Sequence, residues 1–184
     1  MPLAAPRTFF DGTLECIQAG DLEGAETRCR SGLVQYPRDA NLRGLLGALL
    51  IKRQRPDEAE TLLREVIAET PDFAKPHEDL GHLLVQQGRA ADAVPLLERA
   101  TSLDPDLENA WFSLGKALAL LGRGKDADVA FERCFALSPG KRLMALAAEH
   151  QKAGRLAEAE HFYRRILRQD PKNVDAMRLL ALIA

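Results

Sequence analysis

The chain contains few aromatic residues, few cysteines and no clear excess of charge of either sign. Aromatic side chains make up 5% of the 184 residues, and runs of Val, Ile and Thr are missing, which argues against a β-rich core. The 25 basic and 27 acidic side chains give a net charge of −2, which argues against a general nucleic-acid-binding protein. Alanine and leucine, both strong helix formers, supply most of the apolar content. The composition predicts an all-α protein.

Cysteine usage and the lack of catalytic motifs narrow the function classes further. The three cysteines, Cys16, Cys29 and Cys134, are odd in number and form no CxxC pair, so we expect neither a disulfide framework nor a zinc site. No phosphate-binding loop or GxSxG motif occurs, and we predict no catalytic residue, no cofactor and no metal. The N-terminus lacks the pattern of a secretory leader, and no apolar run approaches the roughly 18 residues of a membrane helix. We therefore expect a cytoplasmic protein that does not contact the membrane.

A 34-residue period is the main feature of the sequence. Prolines mark it at Pro37, Pro71, Pro105 and Pro139. Alanines twelve residues before each proline repeat at the same interval, at Ala25, Ala59, Ala93 and Ala127. Within each period a leucine precedes a very small residue, as at Leu46-Gly47 and Leu80-Gly81. Small residues there allow two helices to cross closely, so the period predicts helix-turn-helix units that stack on one another.

This pattern resembles the tetratricopeptide repeat (TPR) family over about residues 38–171. The third full unit shows it best, with residues that match the family's pattern at Trp111, Leu114, Gly115, Ala127, Phe131 and Pro139. The resemblance implies a right-handed superhelical solenoid of antiparallel helix pairs, with about five repeats and a C-terminal helix. We predict a single domain over 1–184. It comprises a degenerate repeat at 7–37, three full repeats at 38–71, 72–105 and 106–139, a shortened repeat at 140–171 and an unpaired helix at 172–184.

Two departures from the period carry further predictions. The step from Pro139 to Pro171 is two residues shorter than the others, which predicts a tighter connection around Gly140 and a local change in superhelical angle. The first unit has Gly12-Thr13 in place of the leucine and small residue, and Gly32 where other repeats carry larger side chains. We interpret this unit as a degenerate N-terminal cap.

The C-terminal segment is apolar on one side of its predicted helix. Either the 184 residues are a fragment of a longer protein, or Met177, Leu180 and Ile183 dock on a second copy to form a homodimer. The sequence also resembles TPR arms fused to bacterial sulfotransferases and other transferases. An alternative function is therefore the N-terminal recognition arm of a multidomain enzyme.

The resemblance implies that the first helix of each unit lines a concave groove. The predicted groove-binding residues are Asn41, Lys52, Lys75, Glu78, Asp79, His82, Gln86, Asn109, Phe112, Lys116, Met144 and Lys152. Lys, Asn, Gln and His side chains beside Phe112 and Met144 can hold an extended or helical peptide. We expect a non-enzymatic scaffold with a protein or peptide ligand; the alternative for each of these residues is a merely solvated face.

More specialised sites are not supported. His77 and His82 are five residues apart, so they do not share a helix face as the histidines of HExxH do. We predict structural roles for His77, His150 and His161. The carboxylate clamp and the asparagine ladder of other TPR proteins are also missing, because their positions here hold residues such as Gly44 and Ser113.

Overall fold

The computed structural model describes residues 5–183, and over that range the chain is helical without a β-strand. Expectations that concern residues 1–4 or residue 184, at the two ends of the predicted domain, lie outside the described residues. The described helices are α1 Pro6–Gln18, α2 Leu22–Gln35, α3 Ala40–Lys52, α4 Pro56–Glu69, α5 Ala74–Gln86, α6 Ala90–Leu103, α7 Glu108–Leu120, α8 Gly124–Leu137, α9 Pro139–Lys152, α10 Leu156–Gln169 and α11 Val174–Ile183.

The helices belong to two compact units, one up to Asp128 and one from Val129 onward, and α8 contributes to both. In the first unit the pairs α1–α2, α3–α4 and α5–α6 pack together, and each second helix also contacts the first helix of the next pair. In the second unit α10 packs between α9 and α11. The predicted all-α fold of stacked helix pairs is confirmed.

A three-residue turn joins the two helices of every pair, and it always has the same backbone geometry. Its middle residue has a positive φ and is Gly20, Gln54, Gly88, Gly122 or Gly154. Within residues 5–183, Gln54 is the one residue other than glycine with a positive φ. The third residue donates its N–H to the carbonyl five positions earlier, as from Arg89 to Leu84 at 2.9 Å. This is the Schellman ending, in which a left-handed residue lets the chain reverse while the last carbonyls remain hydrogen-bonded.

The small residues in the first helices allow the close crossing that the sequence predicts. A Cβ added to Gly47 would lie 2.6 Å from Cδ2 of Leu63 on α4, and one added to Gly81 would lie 2.5 Å from Cγ of Leu97 on α6. Both leucines are fully buried. The leucine of the second helix therefore occupies the space that a larger residue at the crossing would need.

The connection after α8 is shorter than the other connections between pairs. Four residues separate α2 from α3, α4 from α5, α6 from α7 and α10 from α11, whereas Ser138 alone separates α8 from α9. Pro139 and Gly140 fall in the first turn of α9 rather than in a loop. The tighter connection is confirmed, and the change in superhelical angle stays a prediction.

The first pair, α1 and α2, forms complete helices despite its unusual sequence. Gly32 lies against α1 and α3, where an added Cβ would come within 2.8 Å of Phe9 and 3.0 Å of Leu42. Larger side chains from the two neighbouring helices therefore fill the space that Val66 fills in the next repeat. The departures of this unit from the repeat pattern are accommodated by its neighbours.

Arginine–glutamate pairs link successive repeats in the first unit. Arg55 Nη1 lies 2.8 Å from Glu26 Oε1, and 34 residues later Arg89 Nη1 lies 2.8 Å from Glu60 Oε2. Burial alone would raise the pKa of Glu26, but hydrogen bonds from Arg30 and Arg55 outweigh burial and the pKa is lowered. Sequence inspection missed these links, although both members of each pair recur at the 34-residue period.

The second unit has its own core, built around the fully buried Tyr163, whose hydroxyl donates a 2.7 Å hydrogen bond to Gln151. Leu180 and Ile183 of α11 pack against this core. The exposed apolar side chains of α11 are Val174, Met177 and Leu182. Of the predicted docking triad, Met177 is exposed and Leu180 and Ile183 are partly buried, and the homodimer stays a prediction.

Candidate ligand-binding face

The first helices of the repeats in the first unit lie side by side. Helix α5 contacts α3 on one side and α7 on the other. These three helices carry ten of the predicted groove residues: Asn41 and Lys52 on α3, Lys75, Glu78, Asp79, His82 and Gln86 on α5, and Asn109, Phe112 and Lys116 on α7. We call the surface formed by these positions of α3, α5 and α7 the inner face.

Lys75 holds the two carboxylates of α5 together at the start of that helix. Its Nζ lies 2.9 Å from Glu78 Oε2 and 3.1 Å from Asp79 Oδ1, contacts that follow from the i,i+3 and i,i+4 spacing on a helix. Glu78 is only 3% exposed. Its carboxylate is therefore buried in contact with Lys75, and its role in ligand binding stays a prediction.

Asp79 is nearly as buried as Glu78. Its side chain is 14% exposed, and Oδ2 accepts no hydrogen bond from the described residues. Burial raises the pKa of Asp79 to about 6, with Lys75 acting in the opposite direction. Asp79 therefore changes its charge close to physiological pH, whereas an exposed aspartate would be ionised throughout that range.

His82 connects α5 to α7. Its Nδ1 lies 3.1 Å from Ser113 Oγ, and its Nε2 lies 2.9 Å from the amide nitrogen of Gln86. Because an amide nitrogen only donates, Nε2 accepts, and the neutral ring carries its proton on Nδ1 and donates to Ser113. Burial, followed by the charge of Lys116, lowers the pKa of His82. A histidine protonated on Nδ1 cannot take a proton from Ser113, so this pair does not activate a serine nucleophile.

Helix α7 adds an aromatic ring and a cation to the inner face. The Nζ of Lys116 lies 5.7 Å from the centroid of the half-buried Phe112 ring, which is a cation–π distance. Asn109 is exposed, and so are Asn41 and Lys52 on the other flank. The inner face thus has a half-buried polar centre on α5 with exposed amides and cations around it.

The two remaining groove residues lie on α9 in the second unit. Lys152 is exposed, whereas Met144 is half-buried and packs against the core around Tyr163. On the same helix the centroid of the His150 ring lies 5.3 Å from that of Phe162, and His150 accepts a hydrogen bond from Arg155. His150 therefore packs within its unit, as predicted.

His77 and His161 also lie where simple packing explains them. His77 is 4% exposed and donates from Nδ1 to the Phe73 carbonyl at 3.0 Å, and His161 contacts the edge of Phe162. No group of three or more His, Cys, Asp or Glu side chains in residues 5–183 is arranged to bind a metal ion. None of the described helices combines the length and the apolar character needed to cross a bilayer.

Three models of the tetratricopeptide repeat match the sequence, over residues 17–78, 81–122 and 141–183. Together they leave little of the chain outside a repeat. Comparison with curated protein sequences gives no match.

Solved TPR structures resemble the chain over most of its length. A thermophilic TPR protein from Thermus thermophilus aligns with a TM-score of 0.82 and 23% identity, covering 97% of this chain and 98% of that one. MamA from AMB-1 aligns with a TM-score of 0.62 and 28% identity, covering 89% and 97%. PilF from Pseudomonas aeruginosa aligns with a TM-score of 0.72 and 20% identity, covering 93% and 79%. At these identities the first and third comparisons support the fold alone.

Proposed function

Because the chain belongs to the tetratricopeptide repeat family, we propose that it is a non-enzymatic scaffold that binds a protein or peptide segment on the inner face. Repeats of this family stack into extended surfaces on which other proteins dock. The observation that carries the proposal is the cluster centred on His82. Its ring is tied to α7 through Ser113, and on α7 the Phe112 ring beside Lys116 supplies an apolar anchor.

The chemistry of the inner face favours binding over catalysis. His82 donates to Ser113 rather than accepting from it, and the Glu78 carboxylate is buried in contact with Lys75. Half-exposed polar groups held in fixed positions beside an aromatic ring suit the backbone and side chains of a peptide. We propose a cytoplasmic location, which suits the three free cysteines.

The test is selection of peptides from a random display library on the immobilised full chain. The inner-face variant is Phe112→Ala, and the matched control is Val34→Ala, which shortens an apolar residue that is 84% exposed on α2. We expect the selected peptides to lose most of their affinity for Phe112→Ala and none for Val34→Ala, measured by fluorescence anisotropy.

A second inner-face variant guards against loss of fold. Gln86→Trp places a bulky side chain at an exposed position of α5 and should block a ligand sterically, while thermal unfolding by circular dichroism checks that the helices remain. Peptides that bind both variants as tightly as the wild type would refute the inner face as the binding surface.

A second candidate function is self-association through α11. Val174, Met177 and Leu182 leave an exposed apolar surface on that helix, with Leu182 at 71% exposure. Leu182→Glu should lower the molar mass measured by light scattering at high protein concentration if that surface forms a dimer. Leu180 is not suitable for this test because it packs in the core of its own unit. A monomeric wild type at all concentrations would rule out this candidate.

A further inference from the structure

Lysine and arginine are distributed differently in this protein. Four of the seven lysines are predicted groove residues of the first helices, whereas none of the 18 arginines is: Lys52, Lys75, Lys116 and Lys152. Arginines such as Arg55 and Arg89 instead form the ion pairs between repeats. This division suits their chemistry, because the planar guanidinium forms fixed pairs and the ammonium is a compact charge on a flexible stem.

Among the described residues, the acidic side chains of the inner face form no ion pair with Lys52 or Lys116. Glu78 is buried and Asp79 nearly so, and Lys75 pairs with both of them. Lys52 on α3 and Lys116 on α7 are exposed, and within residues 5–183 neither has a carboxylate at ion-pair distance. The inner face therefore presents two exposed cations, one on each side of α5, in a chain whose net charge is −2.

The lysines of the inner face act electrostatically on the ionisable groups of α5. Lys116 and Lys75 both act to lower the pKa of His82, and Lys52 acts to lower that of Asp79. Beside Lys116, the ring of Phe112 offers an apolar contact of the size of one side chain. Positive potential next to an aromatic ring complements a segment that carries negative charge next to an apolar residue.

We infer that the segment bound on the inner face is acidic: an extended peptide whose Asp or Glu side chains reach Lys52 and Lys116 while an apolar side chain lies against Phe112. This inference rests on the proposed function and specifies the chemistry of its ligand. The peptide's carboxylates supply the ion-pair partners that the described part of the chain does not offer these lysines.

The experiment uses the peptides selected on the full chain as probes. We expect Asp and Glu to be enriched near a large apolar residue, and the affinity to fall when these acids are replaced by Asn and Gln. The double variant Lys52→Gln/Lys116→Gln should weaken binding about three- to tenfold, as expected for two exposed ion pairs, and the effect should shrink with added salt. The matched control is Lys125→Gln/Lys172→Gln, which removes two lysines outside the predicted groove residues and should leave affinity unchanged.

The outcomes separate this inference from the proposed function. Peptides that require Phe112 but are neutral or basic, and that bind the Lys52→Gln/Lys116→Gln variant normally, would overturn the acidic ligand and leave the binding face in place. Equal weakening by the two lysine double variants would reduce the effect to general attraction and would also overturn it. Peptides that ignore Phe112→Ala would instead count against the proposed function.

Discussion

Substitution of two glycines on one helix tests whether the close crossing of α3 and α4 depends on the small residue at position 47. Gly44 and Gly47 both lie inside α3 and are both buried, so replacement by alanine gives each the same gain in helix propensity, about 1 kcal/mol. Their surroundings differ. A Cβ at Gly44 would meet Phe73 at 3.5 Å and Pro76 at 3.6 Å, which are ordinary contacts, whereas one at Gly47 would lie 2.6 Å from Leu63.

The expected free energies follow from those distances. Gly44→Ala should raise the free energy of unfolding by about 1 kcal/mol, since nothing opposes the helix propensity. Gly47→Ala should add an overpacking term of about 1–3 kcal/mol, because Leu63 is fully buried and its side chain must move within a filled core. The difference between the two variants is therefore about 1–3 kcal/mol, since the propensity terms cancel.

Thermal unfolding followed by circular dichroism measures this difference directly. For a chain of this size, 1 kcal/mol corresponds to about 2–4 °C in Tm, so Gly47→Ala should melt at least about 2 °C below Gly44→Ala. Urea unfolding of the same two proteins gives the free energies independently. A Gly47→Ala protein as stable as Gly44→Ala would show that the crossing tolerates a larger residue and would refute the reasoning.

Two further predictions concern ionisable groups. The folded pKa of Asp79, about 6, lies above that of an unfolded aspartate, so Asp79 lowers the stability of the protein as pH rises from about 4 through 6. Asp79→Asn should remove this loss of stability. In urea unfolding, the free energy of unfolding of the variant relative to that of the wild type should rise by about 2 kcal/mol between pH 4 and 7. A difference that stays constant with pH would contradict the raised pKa. Burial raises the pKa of Cys29 to about 12, and Cys134 is fully buried as well. A thiol reagent should therefore modify the half-exposed Cys16 first and the other two only on unfolding, and rapid labelling of three thiols in the native protein would contradict their burial.

The architecture could be predicted from the sequence because its determinants recur at a fixed period. Each repeat-closing proline lies two residues after the end of a second helix, as α4 ends at Glu69 before Pro71. The two residues missing after Pro139 indicated the short connection at Ser138. These features are local, so the pattern of residues is sufficient to find them.

The inner face could be predicted only as a set of positions. Helical periodicity places Glu78 and Asp79 on the same side of α5 as His82, but it does not show how deeply each residue lies. Depth depends on the neighbouring repeat, as where Ser113 of α7 reaches His82 across 31 residues of sequence. Contacts between repeats decide which groups remain available to a ligand, and these contacts leave little trace in the periodicity of a single helix.

The division between lysine and arginine also has a consequence for covalent chemistry. Reagents that acylate primary amines modify lysine and leave the guanidinium group of arginine intact. Such a reagent would neutralise Lys52 and Lys116 on the inner face, whereas Arg55 and Arg89, which link the repeats, would keep their charge. The chain therefore offers a way to remove charge from its candidate binding surface by chemical labelling while the ion pairs between its repeats stay in place.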